Sequence, residues 1–226
     1  MKQVQGRFKL YGNALNIILL LFVAALLASG ILFVRVKLLQ NAQRLGMALA
    51  QSYAVEEEAN ISSLEVHLTL VGDFVEEILD DGGTSADVQD RLVDYFTKYT
   101  SIVGQDMMDF YAVIDGEIIA ANPWEGDATY PYMQSDWYRS AVAAEGAVVL
   151  GDVYLDAVTG QKVFTISQAL NREGYVLAMD VYVQNDALHN TIRSLPDDCS
   201  FFLCDKDGNL LYSSTKWDLD DQVLQS

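Results

Sequence analysis

Two aspartates stand in the strand-forming part of this chain, where an acid needs a reason to be. Asp180 interrupts the apolar run YVLAMDVYV, and Asp156 closes Tyr154-Leu155-Asp156 just ahead of the turn pair Thr159-Gly160. A carboxylate buried among apolar side chains is costly unless something satisfies it, so Asp180 is expected either to face a pocket or to accept structural hydrogen bonds. On a strand, residues i and i+2 share a face, which sets Tyr154 and Asp156 side by side; Asp156 has a second reading as the cap of the following turn. Trp137 and Tyr138 open a short helix over 136–145, with Asp136 expected at its N-cap, and are read either as pocket or as core residues. Pro123 and Trp124 are candidates for the rim of the same pocket.

Paired acids can run acid–base chemistry such as glycoside hydrolysis. The sequence has no nucleophile elbow and no His-centred triad to support an enzyme. His67 and His189 have no companions at metal-ligand spacing, and Cys199 and Cys204 have no second cysteine pair, which argues against zinc. The string Asp205-Lys206-Asp207-Gly208-Asn209 has its glycine too early for a calcium loop and lacks the distal Glu, so it reads as a hairpin turn. No cofactor and no metal are expected. The acids and aromatics are read as recognition elements.

These residues must be positioned by a chain of 226 residues, 51% apolar and 20% charged, with a net charge of −18. That charge excludes nucleic acid as the natural partner. It is unevenly placed: residues 1–37 hold five basic side chains and no acidic one, leaving −23 on the remainder. Within the basic head, Ala14–Val34 is a 21-residue apolar run broken only by Asn16, Ser29 and Gly30. About 20 such residues cross a bilayer. The run is too long for a signal peptide and no cleavage site follows, so it is read as an uncleaved membrane anchor. Flanking positive charges barely decide its orientation. The acidic body is the less costly part to move outward against an inside-negative potential, which puts residues 1–13 in the cytoplasm and the rest outside. Cys199 and Cys204 would point to opposite faces of a strand and are expected to be ordinary buried thiols.

The expected class is α+β. After the anchor, Ile61, Leu64, Leu68, Val71, Val75 and Ile78 recur at three- and four-residue steps, and no proline occurs before residue 123. A continuous helix over 35–80 would be about 70 Å long: a stalk whose apolar stripe packs on a domain or on a second copy. A second amphipathic helix is expected over 87–102 (Val88, Leu92, Val93, Phe96), capped by Thr84 or Ser85. DFYAVI and EIIAA flank Asp115-Gly116 as a hairpin. Three β-rich runs come next, AVVLGDVYL, KVFTISQAL and GYVLAMDVYV, then a helix over 185–195 ended by Pro196, then a hairpin around Asp207-Gly208. The two hairpins, each with a Trp eight or nine residues beyond its turn Gly, suggest tandem sheet modules with the second cut short. A lone hairpin rarely stands by itself. The division is therefore a cytoplasmic N-terminus (1–13), a transmembrane helix (14–34), a long stalk helix (35–80), a sheet module (84–195) and the start of a smaller one (196–226).

This order of a span, a long helix, a PAS-like antiparallel sheet and a second hairpin resembles the double Cache sensor domain of bacterial transmembrane receptors, over most of residues 35–226. The resemblance is sharpest over 130–180. Amino-acid-binding members carry a tyrosine, Arg-x-Trp-Tyr, Tyr-x-Asp and a later Asp; the matching positions here are Tyr130, Trp137-Tyr138, Tyr154-x-Asp156 and Asp180. The resemblance implies that these six contact a ligand. One position departs from the pattern: Ser135 stands where the arginine should, so the guanidinium for a ligand carboxylate is missing, and a hydroxyl does not replace it. Two carboxylates beside aromatic faces make a cage for a cation. The ligand is expected to be an amine, or an amino acid held by its amino end, with neutral and peptide-like ligands left open.

Anchor, stalk and pocket together imply the sensing module of a membrane-bound receptor in an extracytoplasmic position. The resemblance implies a homodimer through the stalk and signalling to a cytoplasmic output: a histidine kinase, a diguanylate cyclase or a chemotaxis domain, the first two favoured. No such output lies in the sequence. The rival reading is a membrane-anchored module that binds a protein and no small ligand, which would leave a collapsed pocket and an exposed apolar patch.

Overall fold

The structure, a computed structural model, describes residues 2–103, 108–183, 202–204 and 210–213, with side chains for 15–102, 108–183, 202–204 and 213. Helix α1 runs Lys2–Asp80. The chain divides into two compact units, 1–54 and 55–226. In the first, residues 15–50 of α1 are exposed throughout, and this stretch contains a segment long and apolar enough to cross a membrane.

The second unit is built on an antiparallel sheet. Strand β1 (Met108–Ile114) turns into β2 (Glu117–Ala120) through Asp115 and Gly116, both at positive φ (53° and 83°). That is the backbone an Asp-Gly pair adopts readily in a two-residue hairpin. Strands β3 (Val149–Leu150) and β4 (Tyr154–Leu155) both pair with β5 (Lys162–Ala169), which pairs with β6 (Val176–Tyr182). The order is β2-β1-β6-β5-β3. The run AVVLGDVYL is thus two short strands. It breaks at Gly151, whose N–H donates to the Thr165 carbonyl at 2.8 Å, so close that a Cβ there would sit 3.2 Å from the same oxygen.

One face of the sheet is closed by helices. From α1, Leu64, Leu68, Val71, Val75 and Leu79 pack with Val88 and Leu92 of α2 (Ser85–Val103) on Phe110, Phe164, Ile166, Leu177, Met179 and Val181. Val93 falls outside this core and is exposed. Helix α2 begins in a reciprocal cap: Thr84 N–H and Oγ1 donate to Asp87 Oδ2 at 2.7 Å each, and Asp87 N–H returns to Thr84 Oγ1. These bonds hold the Asp87 carboxyl below its ordinary value, the backbone bond most strongly.

The other face is covered by the β2–β3 connection: 3-10 turns at Asp127–Thr129 and Tyr132–Gln134, then helix α3 (Asp136–Ala143). Ser135, not Asp136, is the N-cap of α3, and no side chain caps it. The Ser135 hydroxyl instead donates back to the Tyr132 carbonyl, and Asp136, in the first turn, pairs with Arg139. Strands β7 (Phe202–Cys204) and β8 (Leu210–Ser213) form a separate two-stranded sheet. Cys204 is free and exposed, contrary to the expected buried thiol: it sits on a two-stranded sheet, and no core cluster among the described residues includes it. The expected helix over 185–195, Pro196, His189, Cys199, the Asp207-Gly208 turn and Trp217 lie outside the described residues.

Candidate functional site

Strand alternation and register assemble a polar row across the centre of the sheet. In β1–β6 pairing Asp109 stands opposite Asp180, and in β5–β6 pairing Thr165 stands opposite the same Asp180. Three polar residues on three adjacent strands therefore lie on one face, the one covered by α3. One step along, Tyr111 and Ser167 flank Ala178. Ser167 donates to the Trp137 carbonyl at 2.9 Å, which pins α3 to the sheet.

Asp180 is 9% exposed. Its Oδ1 accepts three hydroxyls: Thr165 at 2.6 Å, Tyr111 at 2.9 Å and Tyr154 at 3.1 Å. The other oxygen, Oδ2, receives no hydrogen bond from the described residues. Burial raises the Asp180 carboxyl above its ordinary value, against the lowering effect of the three hydroxyls. The same burial, with the Asp180 charge adding to it, pushes the Tyr111 and Tyr154 phenols upward, so both are hydroxyl donors at any physiological pH. Tyr182 rises to about 12, through burial first and then through Asp156, Asp109 and Asp180. Asp109 is pushed up to about 7, mainly by burial and further by the Asp180 charge, while bonds from the Phe110 backbone and Asn122 oppose the rise. Its Oδ1 accepts from Asn122 Nδ2 at 3.2 Å.

Above this row opens a cavity of about 420 Å³. That volume suits a small organic ligand. Aromatic residues Phe96, Tyr111, Trp124, Tyr130, Trp137, Tyr154 and Tyr182 line it together with four carboxylates, Asp109, Asp127, Asp156 and Asp180. Among the described residues no Lys, Arg or His lines it. Trp137 is buried and meets Tyr111 edge to face at 5.2 Å.

Of the six residues singled out in the sequence, the fold brings five to this cavity: Tyr130, Trp137, Tyr154, Asp156 and Asp180. Tyr138 is the exception. One position on in α3, its ring stacks edge to face on Tyr132 and Trp137, and its hydroxyl donates to the Gly174 carbonyl at 3.2 Å. It braces the α3 side of the site and does not line it. Asp156 caps the turn, as its second reading has it, and also borders the cavity. It lies just past the end of β4, and its Oδ2 accepts from Thr159 N–H and Oγ1 at 2.7 and 2.6 Å. Pro123 and Trp124 also line it. Ser135 does not, and no basic side chain among the described residues has taken over the place of the missing arginine.

Sequence reasoning missed Asp109, Tyr111, Asn122 and Thr165. Asp109 and Tyr111 lie in DFYAVI with alternating spacing, a signal for one face, but only the β1–β6 register reveals that this face holds Asp180. Among the described residues no cluster of His, Cys, Asp and Glu is arranged to hold a metal.

No family model matches the chain. Curated relatives include the methyl-accepting chemotaxis proteins McpA, 28% identical over 144 residues (63% of this chain, 21% of that protein), and McpB, 32% identical over 96 residues (42% and 14%), both of Bacillus subtilis strain 168. The chain spans about a fifth or less of their length. Similar solved structures are the ligand-binding domain of the Pseudomonas aeruginosa PAO1 amino acid chemoreceptor PctC in complex with GABA, with a TM-score of 0.54 and 17% identity over 71% of this chain and 70% of that one, and that of the Pseudomonas fluorescens chemoreceptor CtaA in complex with L-serine, with 0.50, 20%, 74% and 69%. The chain has the fold of a double Cache-type receptor sensor domain. Its relatives are chemotaxis receptors and their sensing domains, not enzymes.

Proposed function

We propose that the chain is the extracytoplasmic sensing part of a membrane-bound receptor and that its ligand is a small amine or an amino-acid-like cation. The observation that carries this reading is the charge of the cavity wall: four carboxylates, seven aromatic rings and, among the described residues, no basic side chain. A ligand carboxylate would enter a field of its own sign, whereas an ammonium group meets oxygen acceptors and ring faces together. Asp180 is the central anchor, oriented by three hydroxyls, and Tyr130, Trp137, Tyr154 and Asp156 are ligand contacts. That GABA and L-serine occupy the compared domains supports a ligand with an amino group.

In this reading the anchor at 14–34 is a single span, the stalk at 35–80 carries the signal between the copies of a homodimer, and 84–195 is the membrane-distal module. A chemotaxis output is favoured over a kinase or cyclase because the curated relatives are methyl-accepting chemotaxis proteins. An open cavity of this chemistry weighs against the rival module without a small ligand.

The test is a thermal-shift and tryptophan-fluorescence screen of the full chain in lipid nanodiscs, against phenethylamine, butylamine, putrescine, L-serine, GABA and succinate. Saturation at 100 times the dissociation constant adds about 2.7 kcal/mol. Amines, alone or with amino acids, are expected to shift the protein. A response to succinate alone, or to nothing, overturns the reading.

A further inference from the structure

Asp109 is the one carboxylate of the inner wall that no sequence motif explains, and its position is defined by strand pairing. It lies directly across from Asp180 in the β1–β6 register, on the same face, and both line the cavity. Directly opposed residues on adjacent strands have Cβ atoms about 4.5–5.5 Å apart, and like charges so placed repel. Asp180 can spread its charge over three hydroxyl donors; Asp109 has the Asn122 amide and a backbone donor. Among the described residues, Thr165 on β5, opposite Asp180, and the remaining groups lining the cavity with Asp109 supply no counter-charge: Tyr111 on β1, Tyr154 on β4, Tyr182 on β6, and Asp127, Tyr130 and Asp156 on the loops. Two buried carboxylates paired across adjacent strands in this way do not both ionise readily without a cation beside them.

Resting on the amine reading above, we propose that Asp109 is a second ligand anchor and that an ammonium ligand binds the Asp109–Asp180 pair in exchange for a proton. Free, the pair keeps one proton and a single negative charge. Bound, the proton leaves to solvent and the ammonium bridges two carboxylates. The site therefore takes cations without a carboxylate in preference to zwitterions, since a ligand carboxylate would restore the repulsion that the proton had removed. A carboxyl at Asp109 held near pH 7 by burial and by Asp180 places this exchange in the neutral range.

Phenethylamine and L-phenylalanine are the probes, with binding read by tryptophan fluorescence and calorimetry on the full chain in nanodiscs from pH 5.5 to 8.5. Below about pH 7, where the free pair is protonated, the phenethylamine dissociation constant is expected to fall about tenfold per pH unit, then to level off. Titration in two buffers of different ionisation enthalpy is expected to detect up to one proton released at pH 6 and almost none at pH 8.5. Asp109→Asn should remove the slope between pH 6 and 8 and weaken phenethylamine at pH 8 by about tenfold or more, while its unliganded melting temperature at pH 8 does not fall. L-Phenylalanine should bind more weakly than phenethylamine to the wild type. If phenethylamine binds without a slope, or Asp109→Asn keeps both slope and affinity, the proposal is overturned while the amine reading stands. If no amine binds the wild type at any pH, the amine reading itself fails and takes this one with it.

Discussion

The two faces of the central sheet are made by the same strands and obey opposite rules. On β1, Met108, Phe110, Ala112 and Ile114 point to the helices, while Asp109, Tyr111 and Val113 point to α3 and the cavity. On β6, Leu177, Met179 and Val181 take the first side, and Ala178, Asp180 and Tyr182 the second. The helical face is apolar and closed except where Phe96 and Met108 border the cavity, and its residues need only fit. The other face buries acids and hydroxyls in a hydrogen-bonded row and leaves an open space above them. Stability should therefore reside mainly in the first face and ligand selectivity in the second. Substitutions one residue apart on a single strand can separate the two.

The largest effect is expected from Phe110→Ala. Phe110 is fully buried between β1 and the helices and meets Tyr95 edge to face at 5.4 Å. Its loss should cost about 3–5 kcal/mol, measurable by denaturant unfolding, and should leave amine affinity in the folded fraction nearly unchanged. Next is Asp180→Asn, on the neighbouring strand and the opposite face. It keeps the shape and the three oxygen partners but removes the charge, and a charge-assisted bond is worth about 1.5–3 kcal/mol. Amine binding should weaken roughly tenfold to hundredfold with little change in melting temperature. A stability loss at Asp180 as large as that at Phe110, or unaltered binding, would erase the distinction between the faces.

A third effect comes from pH. Burial, with the Asp180 charge adding to it, pushes the Asp109 carboxyl of the folded protein up to about 7 from an ordinary 3.8. Its raised value means that the folded state holds a proton the unfolded state has already lost. Its contribution to stability is therefore fully present below about pH 4 and is lost as pH rises towards 7. The melting temperature of Asp109→Asn minus that of the wild type should thus increase from pH 4 to pH 8 by several degrees. A difference that stays flat would mean that Asp109 is solvated and not part of the buried row.

How far the sequence reveals this arrangement depends on how local each signal is. The long helix through residue 80, the Thr84 cap and the Asp115-Gly116 hairpin are written in short-range periodicity and turn chemistry, and the structure shows all three. Asp180 and Tyr154 stand out in the sequence because an acid in an apolar strand and a Tyr-x-Asp before a turn are local oddities. Asp109 does not: it lies near the start of a strand, where an acid is commonplace, and it matters only through a register linking it to a residue 71 positions later. The α3 cap differs from the expected one for a related reason. Ser135 and Asp136 are both good N-caps, and only the tight 3-10 turn before the helix decides which one starts it.

The smallest effect tests how finely the polar row is set. Tyr154 reaches both Thr165 and Asp180 with its hydroxyl, at 2.8 and 3.1 Å. Tyr154→Phe keeps the ring in the cavity wall and removes one of three donors to Asp180 Oδ1. Thr165 and Tyr111 remain as donors to Asp180, so the loss to amine binding should be about 1 kcal/mol, no more than about fivefold in affinity. The direction on the carboxyl is fixed as well: with one stabilising donor gone, the Asp180 carboxyl rises further, and the pH at which amine binding levels off should move upward with it. Tyr138→Phe is the matched control, because it loses a bond to the Gly174 carbonyl outside the cavity. It should alter stability by a similar amount and leave that pH unmoved. Equal shifts in the two variants would place Tyr138 functionally within the row, despite its position behind the wall.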